Sequence, residues 1–350
     1  MFTVIAGAYD GTLHGWQGES LDDLKLAFAF HAHESCIRCI DVSGKMACSA
    51  ASDQSIQLYD LLKKKVVDRM AGAHQDEVTC LAFANSPKTK ELYLLSGDAQ
   101  GKILVWKTKD SKVIHELKGH KQTSPVSSIS VHPSNKVALS TAHDNSLRMW
   151  DLVNGKAAPR TRLENFSNLK CACWSPDDGA RYALVADDVN VLIFESDTVS
   201  ETPLGVCKHP KRVNSLKFIQ DVVLASASDD GIIRIIGADG SFIRMFSPPT
   251  TCRARDIGFV FRDHLNKDKD RELEEESPIV GAAFSDGTIR LWDLNRDEEE
   301  PLTVLNVGTA AHLTSLSMVR IDLPTHRSTE VEKVVKESGK KKQKVTQDEN

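Results

Sequence analysis

A seven-residue pattern recurs along this chain of 350 residues and constrains its fold more than any other feature. Each copy begins with Asp or another turn residue, alternates apolar and polar positions, and usually ends in an aromatic residue. The seven copies are DGTLHGW (10–16), DQSIQLY (53–59), QGKILVW (100–106), DNSLRMW (144–150), DVNVLIF (188–194), DGIIRII (230–236) and DGTIRLW (286–292). A period of about 40–45 residues is typical of repeated structural units that share one continuous core.

The spacing of the copies is nearly constant. Their last residues lie 43, 47, 44, 44, 42 and 56 residues apart. The long interval contains the charged stretch RDHLNKDKDRELEEE, between Phe261 and Ser277, which accounts for the excess. Between the copies, short alternating strands are separated by turn residues, and no long helical periodicity appears. The sequence therefore predicts an all-β fold, a seven-bladed β-propeller.

The two ends of the chain are predicted to share one blade. Residues 2–16 provide a second and a third strand without a first strand before them. Near the other end, 302–307 fits the last strand of blade 7, and 313–319 fits the missing strand. We therefore expect a single ring over residues 1–322, closed by the C-terminal strand, with a charged insertion at 262–277. Residues 323–350 are expected to form a disordered tail that contains lysines.

The units resemble WD repeats. A His stands before the first strand in four units, at positions 33, 74, 120 and 209, and WD endings occur at Trp150-Asp151 and Trp292-Asp293. In WD repeats a buried network joins this His to a Ser or Thr, a turn Asp and an aromatic residue. The resemblance implies complete networks in blades 2 and 4, made by His33, Ser49, Asp53 and Tyr59, and by His120, Ser140, Asp144 and Trp150.

Two further units match that network only in part. The third unit has His74, Ser96, Gln100 and Trp106, in which Gln stands where Asp is expected. The sixth unit has His209, Ser226, Asp230 and Ile236, which lacks the aromatic residue. We therefore expect blades 3 and 6 to be held more by packing than by the network.

The sequence offers no catalytic or cofactor-binding motif. It contains no phosphate-binding glycine loop, no GxSxG and no HExxH. Cys36 and Cys39 form a CxxC, but no second Cys or His pair follows at zinc spacing, so a buried apolar pair is expected rather than a metal site. We predict a protein that is not an enzyme and has no catalytic residue, metal or cofactor.

Membrane insertion and secretion are also not expected. No run approaches the roughly 18 apolar residues of a membrane span, and no basic leader precedes the short apolar run at the start. The chain has 44 Lys and Arg against 49 Asp and Glu, a formal net charge of −5. Because there is no basic field over the whole chain, any binding to nucleic acid must be local.

Charged loops are predicted to form such local surfaces on one face of the ring. The turns between first and second strands and between third and fourth strands open on the same face. In blade 7 these turns are acidic, with Glu272, Glu274, Glu275, Glu276, Asp297, Glu298, Glu299 and Glu300. In blades 2 to 4 they are basic, and the RNA-facing candidates there and in the tail are Lys63, Lys64, Lys65, Lys107, Lys109, Lys340, Lys341 and Lys342. The hypothesis is that the acidic patch binds a basic protein and the basic arc faces RNA phosphate; the alternative is that these are simply solvated loops.

Several segments together resemble one WD-repeat family, the nucleolar large-ribosomal-subunit assembly factors also described as p21-activated-kinase-interacting proteins. These segments are IAGAYDGTLHGW, DQSIQLYDLLKKK, HPSNKVALSTAHDNSLRMWDLVNGKAA, CWSPDDG and RVNSLKFIQDVVLASASDDGIIRI. The resemblance covers residues 2 to about 320 in order. It implies a non-catalytic scaffold in the nucleolus or nucleus that docks on pre-ribosomal particles, contacting a basic assembly protein and ribosomal RNA.

Two other functions stay open at the level of the sequence. Some members of the family are linked to binding and restraining p21-activated kinase, which is a signalling role. A generic WD-repeat adaptor is the third alternative. Ribosome assembly is favoured because a lysine-containing tail and a face with both charges suit an RNA–protein particle. Outside its complexes the protein is expected to be a monomer.

Overall fold

The computed structural model confirms the seven-bladed propeller. It describes residues 1–86, 89, 91–158, 161, 163, 165–196, 202–248, 251–263, 276–308 and 311–322. Within these ranges the chain forms seven antiparallel sheets of four strands each, and one 3-10 turn at Leu21–Asp23. No helix in the described ranges is long and apolar enough to cross a membrane.

The 28 strands follow one another along the chain with short connections. The first fourteen are β1 (Phe2–Ala8), β2 (Thr12–Gly18), β3 (Lys25–His31), β4 (Ile37–Ser43), β5 (Met46–Ala51), β6 (Ile56–Asp60), β7 (Lys65–Met70), β8 (Val78–Asn85), β9 (Leu92–Asp98), β10 (Ile103–Lys107), β11 (Lys112–Leu117), β12 (Val126–Val131), β13 (Val137–Ala142) and β14 (Ser146–Asp151). The other fourteen are β15 (Lys156–Ala157), β16 (Lys170–Trp174), β17 (Arg181–Ala186), β18 (Asn190–Glu195), β19 (Gly205–Lys208), β20 (Val213–Gln220), β21 (Val223–Ser228), β22 (Ile233–Gly237), β23 (Phe242–Phe246), β24 (Ala254–Asp263), β25 (Glu276–Phe284), β26 (Thr288–Asp293), β27 (Thr303–Asn306) and β28 (Leu313–Arg320).

Six of the blades use four consecutive strands, and blade 1 uses both ends of the chain. Its strand order is β28-β1-β2-β3, so the C-terminal strand lies innermost beside β1. The antiparallel register runs from Phe2 opposite Arg320 to Gly7 opposite Ser315. The Met1 amino group also donates a hydrogen bond of 3.0 Å to the Ile321 carbonyl. The predicted closure is therefore confirmed, and β27 is the last strand of blade 7, as expected.

The hydrophobic pattern explains which strand occupies which place in a blade. Middle strands such as β5 and β21 are buried almost throughout, because neighbouring blades cover both of their faces. Outermost strands such as β7 (KVVDRM) and β11 (KVIHEL) are exposed except at their last residue. Each core cluster joins residues of adjacent blades, so burial of apolar surface stabilises the ring as a whole.

A single carboxylate, that of Asp256 in β24, links three blades at the closing strand. Its Oδ1 accepts a hydrogen bond from Ser215 Oγ in blade 6 at 2.7 Å. Its Oδ2 accepts hydrogen bonds from Ser315 Oγ at 2.9 Å and from the Leu316 N–H at 2.8 Å, both in β28. Ser315 Oγ in turn accepts the Ile40 N–H of blade 2 at 3.0 Å. The closing strand is thus attached to its neighbours on both sides.

Removing this carboxylate should weaken the whole fold. We predict that Asp256→Ala lowers the free energy of unfolding by about 2–4 kcal/mol, because it leaves several buried donors without an acceptor. Urea denaturation followed by tryptophan fluorescence measures the change. Asp297→Ala, in an exposed loop, serves as the control and should change stability by less than about 0.5 kcal/mol. An equal effect of the two substitutions would contradict the linking role of Asp256.

The insertion in blade 7 is shorter than the sequence indicated. Strand β24 ends at Asp263 and strand β25 begins at Glu276, and these two residues lie opposite each other in the register. Strand pairing therefore includes the first two and the last two residues of the predicted insertion 262–277. Residues 264–275 and the predicted tail at 323–350 lie outside the described residues.

Candidate interaction face

The network residues of blade 4 are in direct contact. His120 Nε2 lies 2.6 Å from Ser140 Oγ, which accepts the Trp150 Nε1–H at 2.8 Å. His120 Nδ1 lies 3.3 Å from Asp144 Oδ1 and 3.1 Å from Ser146 Oγ. The four predicted residues are thus joined, and Ser146 is a fifth member that the sequence reasoning missed. The Asp-x-Ser spacing in the turn is the signal that could have identified it.

Blade 2 repeats this arrangement with Tyr in place of Trp. His33 Nε2 lies 2.7 Å from Ser49 Oγ, and that oxygen lies 2.6 Å from the Tyr59 hydroxyl. His33 Nδ1 lies 3.3 Å from Asp53 Oδ2. Burial lowers the pKa of His33, and the Asp53 carboxylate opposes this shift only in part. The lowered pKa favours the neutral imidazole at pH 7, and its two ring nitrogens connect the turn Asp53 to Ser49 and Tyr59.

Blade 3 corrects the sequence interpretation, which placed Gln100 where an Asp is needed. Asp98, two residues earlier and at the end of β9, takes that part: its Oδ2 lies 2.7 Å from His74 Nδ1. His74 Nε2 lies 2.6 Å from Ser96 Oγ, which accepts the Trp106 Nε1–H at 2.7 Å. Blade 3 therefore has a complete network, which contradicts the premise, an incomplete network, on which blade 3 was expected to be held more by packing than by the network.

Blade 6 keeps only part of the network. His209 Nε2 lies 2.8 Å from Ser226 Oγ, whereas Asp230 binds the Arg234 guanidinium, with Oδ2 2.6 Å from Nη2. Nδ1 of His209 has no hydrogen-bond partner among the described residues. Burial, with a contribution from the Arg234 charge, lowers the pKa of His209 to about 4. Ile236 occupies the position of the missing aromatic, and the Phe242 ring of the next strand packs edge-on against His209, with its centroid 6.0 Å from that of the imidazole.

The two kinds of network should differ in their contribution to stability. We predict that Ser96→Ala in blade 3 costs about 2–3 kcal/mol, because it removes the partner of both His74 and Trp106. Ser226→Ala in blade 6 removes one side-chain partner and should cost about 1 kcal/mol. Chemical denaturation of the two matched variants measures the difference. Equal losses, or a larger loss for Ser226→Ala, would contradict the complete network in blade 3.

The charged loops lie on the face opposite these networks, which we call the lower face. The networks join the turns between second and third strands to the segments that enter each blade. Because the strands are antiparallel, the remaining turns, between first and second and between third and fourth strands, open on the other side. Arg262, near the end of β24, reaches Asp22 of blade 1 on this face, with Nη2 3.4 Å from Oδ2.

The acidic loop of blade 7, residues Asp297–Glu300, is held by its backbone. The Arg244 guanidinium of blade 6 donates hydrogen bonds to the Arg296 carbonyl and, at 2.7 Å, to the Glu298 carbonyl. Trp292 Nε1–H donates to the Glu299 carbonyl at 3.1 Å. Arg244 and Trp292 thus bind the backbone carbonyls of this loop, and its four acidic side chains are exposed to solvent. None of these four carboxylates forms an ion pair with a described cation.

The role of Arg244 was not found from the sequence. It lies in an outer strand, FIRMF, where an Arg is an ordinary surface residue. Its guanidinium also stacks over the Phe246 ring, with its carbon 4.7 Å from the ring centroid. The only sequence signal was an outer strand with one charged residue among apolar ones. That signal does not indicate that Arg244 binds the carbonyls of Arg296 and Glu298.

The basic side of the lower face carries lysines in blades 2 and 3. Lys63, Lys64 and Lys65 are exposed at the turn between β6 and β7, and Lys63 lies 3.6 Å from Asp60. Lys107 Nζ lies 3.0 Å from Glu91, and this contact raises the pKa of Lys107. Nearby carboxylates thus neutralise part of the predicted basic arc.

Of the five lysines predicted in blades 2 and 3, three remain free for a partner: Lys64, Lys65 and Lys109 are exposed and form no ion pair with any described residue. Six of the other candidates lie outside the described residues: Glu272, Glu274, Glu275, Lys340, Lys341 and Lys342. Glu276 is the first residue of β25. The structure therefore places Asp297–Glu300 and the three free lysines on the same face, on blades separated by blade 1 on one side of the ring.

A central channel of about 1090 Å³ runs between the first strands of the blades. Asp41 lines it and accepts the Phe83 N–H at 2.7 Å, and burial raises the pKa of its carboxyl group. Cys39 also lines the channel, whereas Cys36 precedes β4; burial raises the pKa of both thiols. In the described part of the chain, no group of three or more His, Cys, Asp or Glu residues is placed to hold a metal ion.

Comparisons with known proteins agree with this architecture. The family described as "Nucleolar protein 10-like, N-terminal domain" matches residues 21–194, and the "WD domain, G-beta repeat" matches residues 201–236. The p21-activated protein kinase-interacting protein 1-like of Gallus gallus is 34% identical over 319 residues, which cover 90% of this chain and 79% of that protein.

Two other relatives extend the comparison to human and yeast. The p21-activated protein kinase-interacting protein 1 of Homo sapiens is 30% identical over 328 residues, 90% of this chain and 76% of that protein. Protein MAK11 of Saccharomyces cerevisiae is 28% identical over 295 residues, 78% of this chain and 70% of that protein. The similarity therefore extends over most of the propeller.

Proposed function

Because the chain belongs to the WD-repeat family of p21-activated protein kinase-interacting protein 1, we propose that it is a non-catalytic scaffold in nuclear assembly of the large ribosomal subunit. In this proposal the acidic loop of blade 7 binds a basic assembly protein, and the free lysines of blades 2 and 3 face ribosomal RNA. The protein would act in the nucleolus or nucleus.

The single observation that carries the proposal is the pair of opposite charges on one rigid face. Four exposed carboxylates at Asp297–Glu300 sit on a loop whose carbonyls are bound to Arg244 and Trp292. Lys64, Lys65 and Lys109 are exposed on the same face without a described counter-ion. Fixed charges of both signs let one scaffold hold a basic protein and an RNA phosphate backbone at a set separation.

The match to a nucleolar protein domain over residues 21–194 also supports the proposed compartment. The relatives named for p21-activated kinase support a second candidate, a regulator that binds such a kinase. An acidic loop suits a basic segment of a kinase as well as one of an assembly protein. The two candidates differ in whether RNA is present in the native complex.

Fractionation of native complexes tests the proposal. The tagged protein, purified gently from its own cells and run on a sucrose gradient, should migrate with precursor RNA of the large subunit. Migration as a light, RNA-free species together with a kinase would overturn the assembly role and favour the kinase regulator.

Charge variants then test the two sides separately. Reversal of the acidic loop (Asp297→Lys, Glu298→Lys, Glu299→Lys, Glu300→Lys) should release the basic protein from the purified complex. Reversal of the basic turn (Lys63→Glu, Lys64→Glu, Lys65→Glu) should weaken RNA binding. It should also make the slope of log K against log salt concentration shallower by roughly 0.7–0.9 for each lost phosphate contact. Lys121→Glu with Lys211→Glu on the opposite face is the control and should change neither. Unchanged binding in both loop variants would contradict the proposal.

A further inference from the structure

The central channel opens on the face that carries the His networks, which we call the upper face. In every blade the first strand starts at this face, and its register is irregular close to the start. Such a bulge turns a side chain out of the regular pattern of the strand. The seven residues at these bulges all line the channel and form what we call the mouth ring: Arg38, Thr79, Ser127, Cys171, Asn214, Arg255 and Thr314. Two of them are cations, and none is a carboxylate.

Neutral members of the mouth ring bind the neighbouring blade. Thr79 Oγ1, Asn214 Nδ2 and Thr314 Oγ1 donate hydrogen bonds of 2.6, 2.8 and 2.6 Å to the first carbonyl of β12, β24 and β4. The Cys171 thiol lies 3.3 Å from the Asn214 carbonyl oxygen. These contacts fix the bulges in place, so the ring holds its charged members at set positions around the mouth.

The arginines of blade 7 have no counter-ion. Arg255 is partly exposed, and Arg253, two residues earlier at the same mouth, is exposed. Neither guanidinium forms an ion pair or a hydrogen bond with a residue in the described part of the chain. Arg38 is neutralised only in part: its Nε lies 3.6 Å from Glu77, and 44% of its side chain is exposed. Positive charge therefore collects at the upper mouth of the channel.

The two arginines of the mouth ring act on one common point, although blade 1 separates their blades. Burial raises the pKa of the Cys36 thiol, and the positive charges of Arg38 and Arg255 both oppose that increase. Guanidinium groups bind carboxylates through paired hydrogen bonds. Arginines that meet at the entrance of a channel therefore suit a carboxylate that arrives from the upper face.

The charges farther inside the channel are already paired. Asp256 accepts the hydrogen bonds of Ser215 and of β28, and Asp41 accepts the Phe83 N–H. Burial raises the pKa of Asp41, and the charge of Lys217 opposes that shift. An acidic group that moved inward would meet these carboxyl groups. The favourable place for it is therefore the mouth and not the interior.

An acidic protein segment fits this mouth better than RNA does. No member of the mouth ring is aromatic, whereas proteins that bind single strands combine cations with aromatic side chains on which bases stack. Farther out on the upper face lie the turn carboxylates of Asp53 and Asp187. Burial alone would raise the pKa of Asp53, but hydrogen bonds from Ser55 lower it, and a hydrogen bond from Ser167 lowers the pKa of Asp187. A long polyanion across the face would pass these ionised groups, whereas a short acidic segment at the centre would not.

We propose that the mouth ring binds a short acidic segment of a partner protein. The Asp or Glu carboxylates of that segment pair with Arg253 and Arg255, and Arg38 adds positive charge from the other side of blade 1. This inference goes beyond the function proposed above, which uses only the lower face. The partner is a separate one, because the ligands assigned to the lower face are a basic protein and RNA.

Site-specific photo-cross-linking of the full chain in its native cells tests this proposal. Tyr9, which is 67% exposed on the upper face, is replaced by benzoylphenylalanine, so an aromatic ring is kept. The Tyr9 N–H donates to the His312 carbonyl at 2.9 Å, and His312 Nδ1–H donates to the Ser285 carbonyl at 2.8 Å. Ser285 Oγ in turn accepts the Arg253 N–H at 3.0 Å, which connects Tyr9 to the segment that carries the free arginines. Phe242, which is 50% exposed in the outermost strand of blade 6, is the matched control position.

The cross-linked peptides, identified by mass spectrometry, decide the outcome. We expect the Tyr9 position to cross-link one protein segment rich in Asp and Glu, and the Phe242 position not to cross-link that segment. Cross-links from Tyr9 to RNA, to a second copy of the chain or to a segment without acidic residues would overturn the proposal. An equal yield from Phe242, or no cross-link from Tyr9, would also overturn it.

Charge variants then test which residues bind the segment. Arg253→Glu with Arg255→Glu should reduce recovery of the identified partner about tenfold or more. Lys118→Glu with Lys121→Glu makes the same change in charge at exposed positions of the segment that enters blade 4, and it should leave recovery unchanged. All four side chains are at least partly exposed, so the melting temperatures should stay close to that of the unchanged protein. Equal recovery from the two variants would contradict a site at the mouth ring.

The gradient of the unchanged protein keeps this inference separate from the proposed function. Co-migration with precursor RNA combined with no cross-link at Tyr9 would overturn the mouth-ring proposal and leave the scaffold role standing. A light, RNA-free complex combined with a cross-link to an acidic segment would support the mouth ring and overturn the assembly role.

Discussion

The pairing of β28 with β1 makes every other feature of this structure possible, because it turns a row of blades into a closed ring. An open row would leave two long strand edges and two uncovered blade faces in water. Closure removes both, and Asp256 reinforces it by accepting hydrogen bonds from blades 6 and 1. Each blade then lies at a fixed place, so loops far apart in sequence present their charges on one face at a set separation.

Much of this fold could be predicted because its signals are local. The period, the turn residues and the unmatched strand in residues 2–16 depend on the nearby sequence, and they are enough to place seven blades and the closing strand. The networks were harder to predict, because the repeat in blade 3 has Gln100 at the position where the other copies have Asp. Asp98 lies two residues earlier at a strand end, and only the register shows that its carboxylate meets His74.

On the interaction face, too, the local sequence predicts which residues are exposed but not which residues they contact. That Asp297–Glu300 would be exposed follows from four consecutive acidic residues in a turn. That the loop is held by Arg244 depends on hydrogen bonds to carbonyls 52 and 54 positions further along the chain. The neutralisation of Lys107 by Glu91 is likewise a tertiary contact. Exposed charge could therefore be predicted, whereas its partners and its rigidity could not.

The central claim is that one face of a closed ring directs a basic surface to RNA and an acidic surface to protein. Ultraviolet cross-linking of the native particle, with mass spectrometry of the peptides that carry nucleotide adducts, tests this most directly. The account predicts adducts on the peptides that contain Lys64, Lys65 and Lys109, and none on the peptide of Asp297–Glu300. Adducts confined to the acidic side or to the opposite face, or no adducts on the propeller, would contradict it.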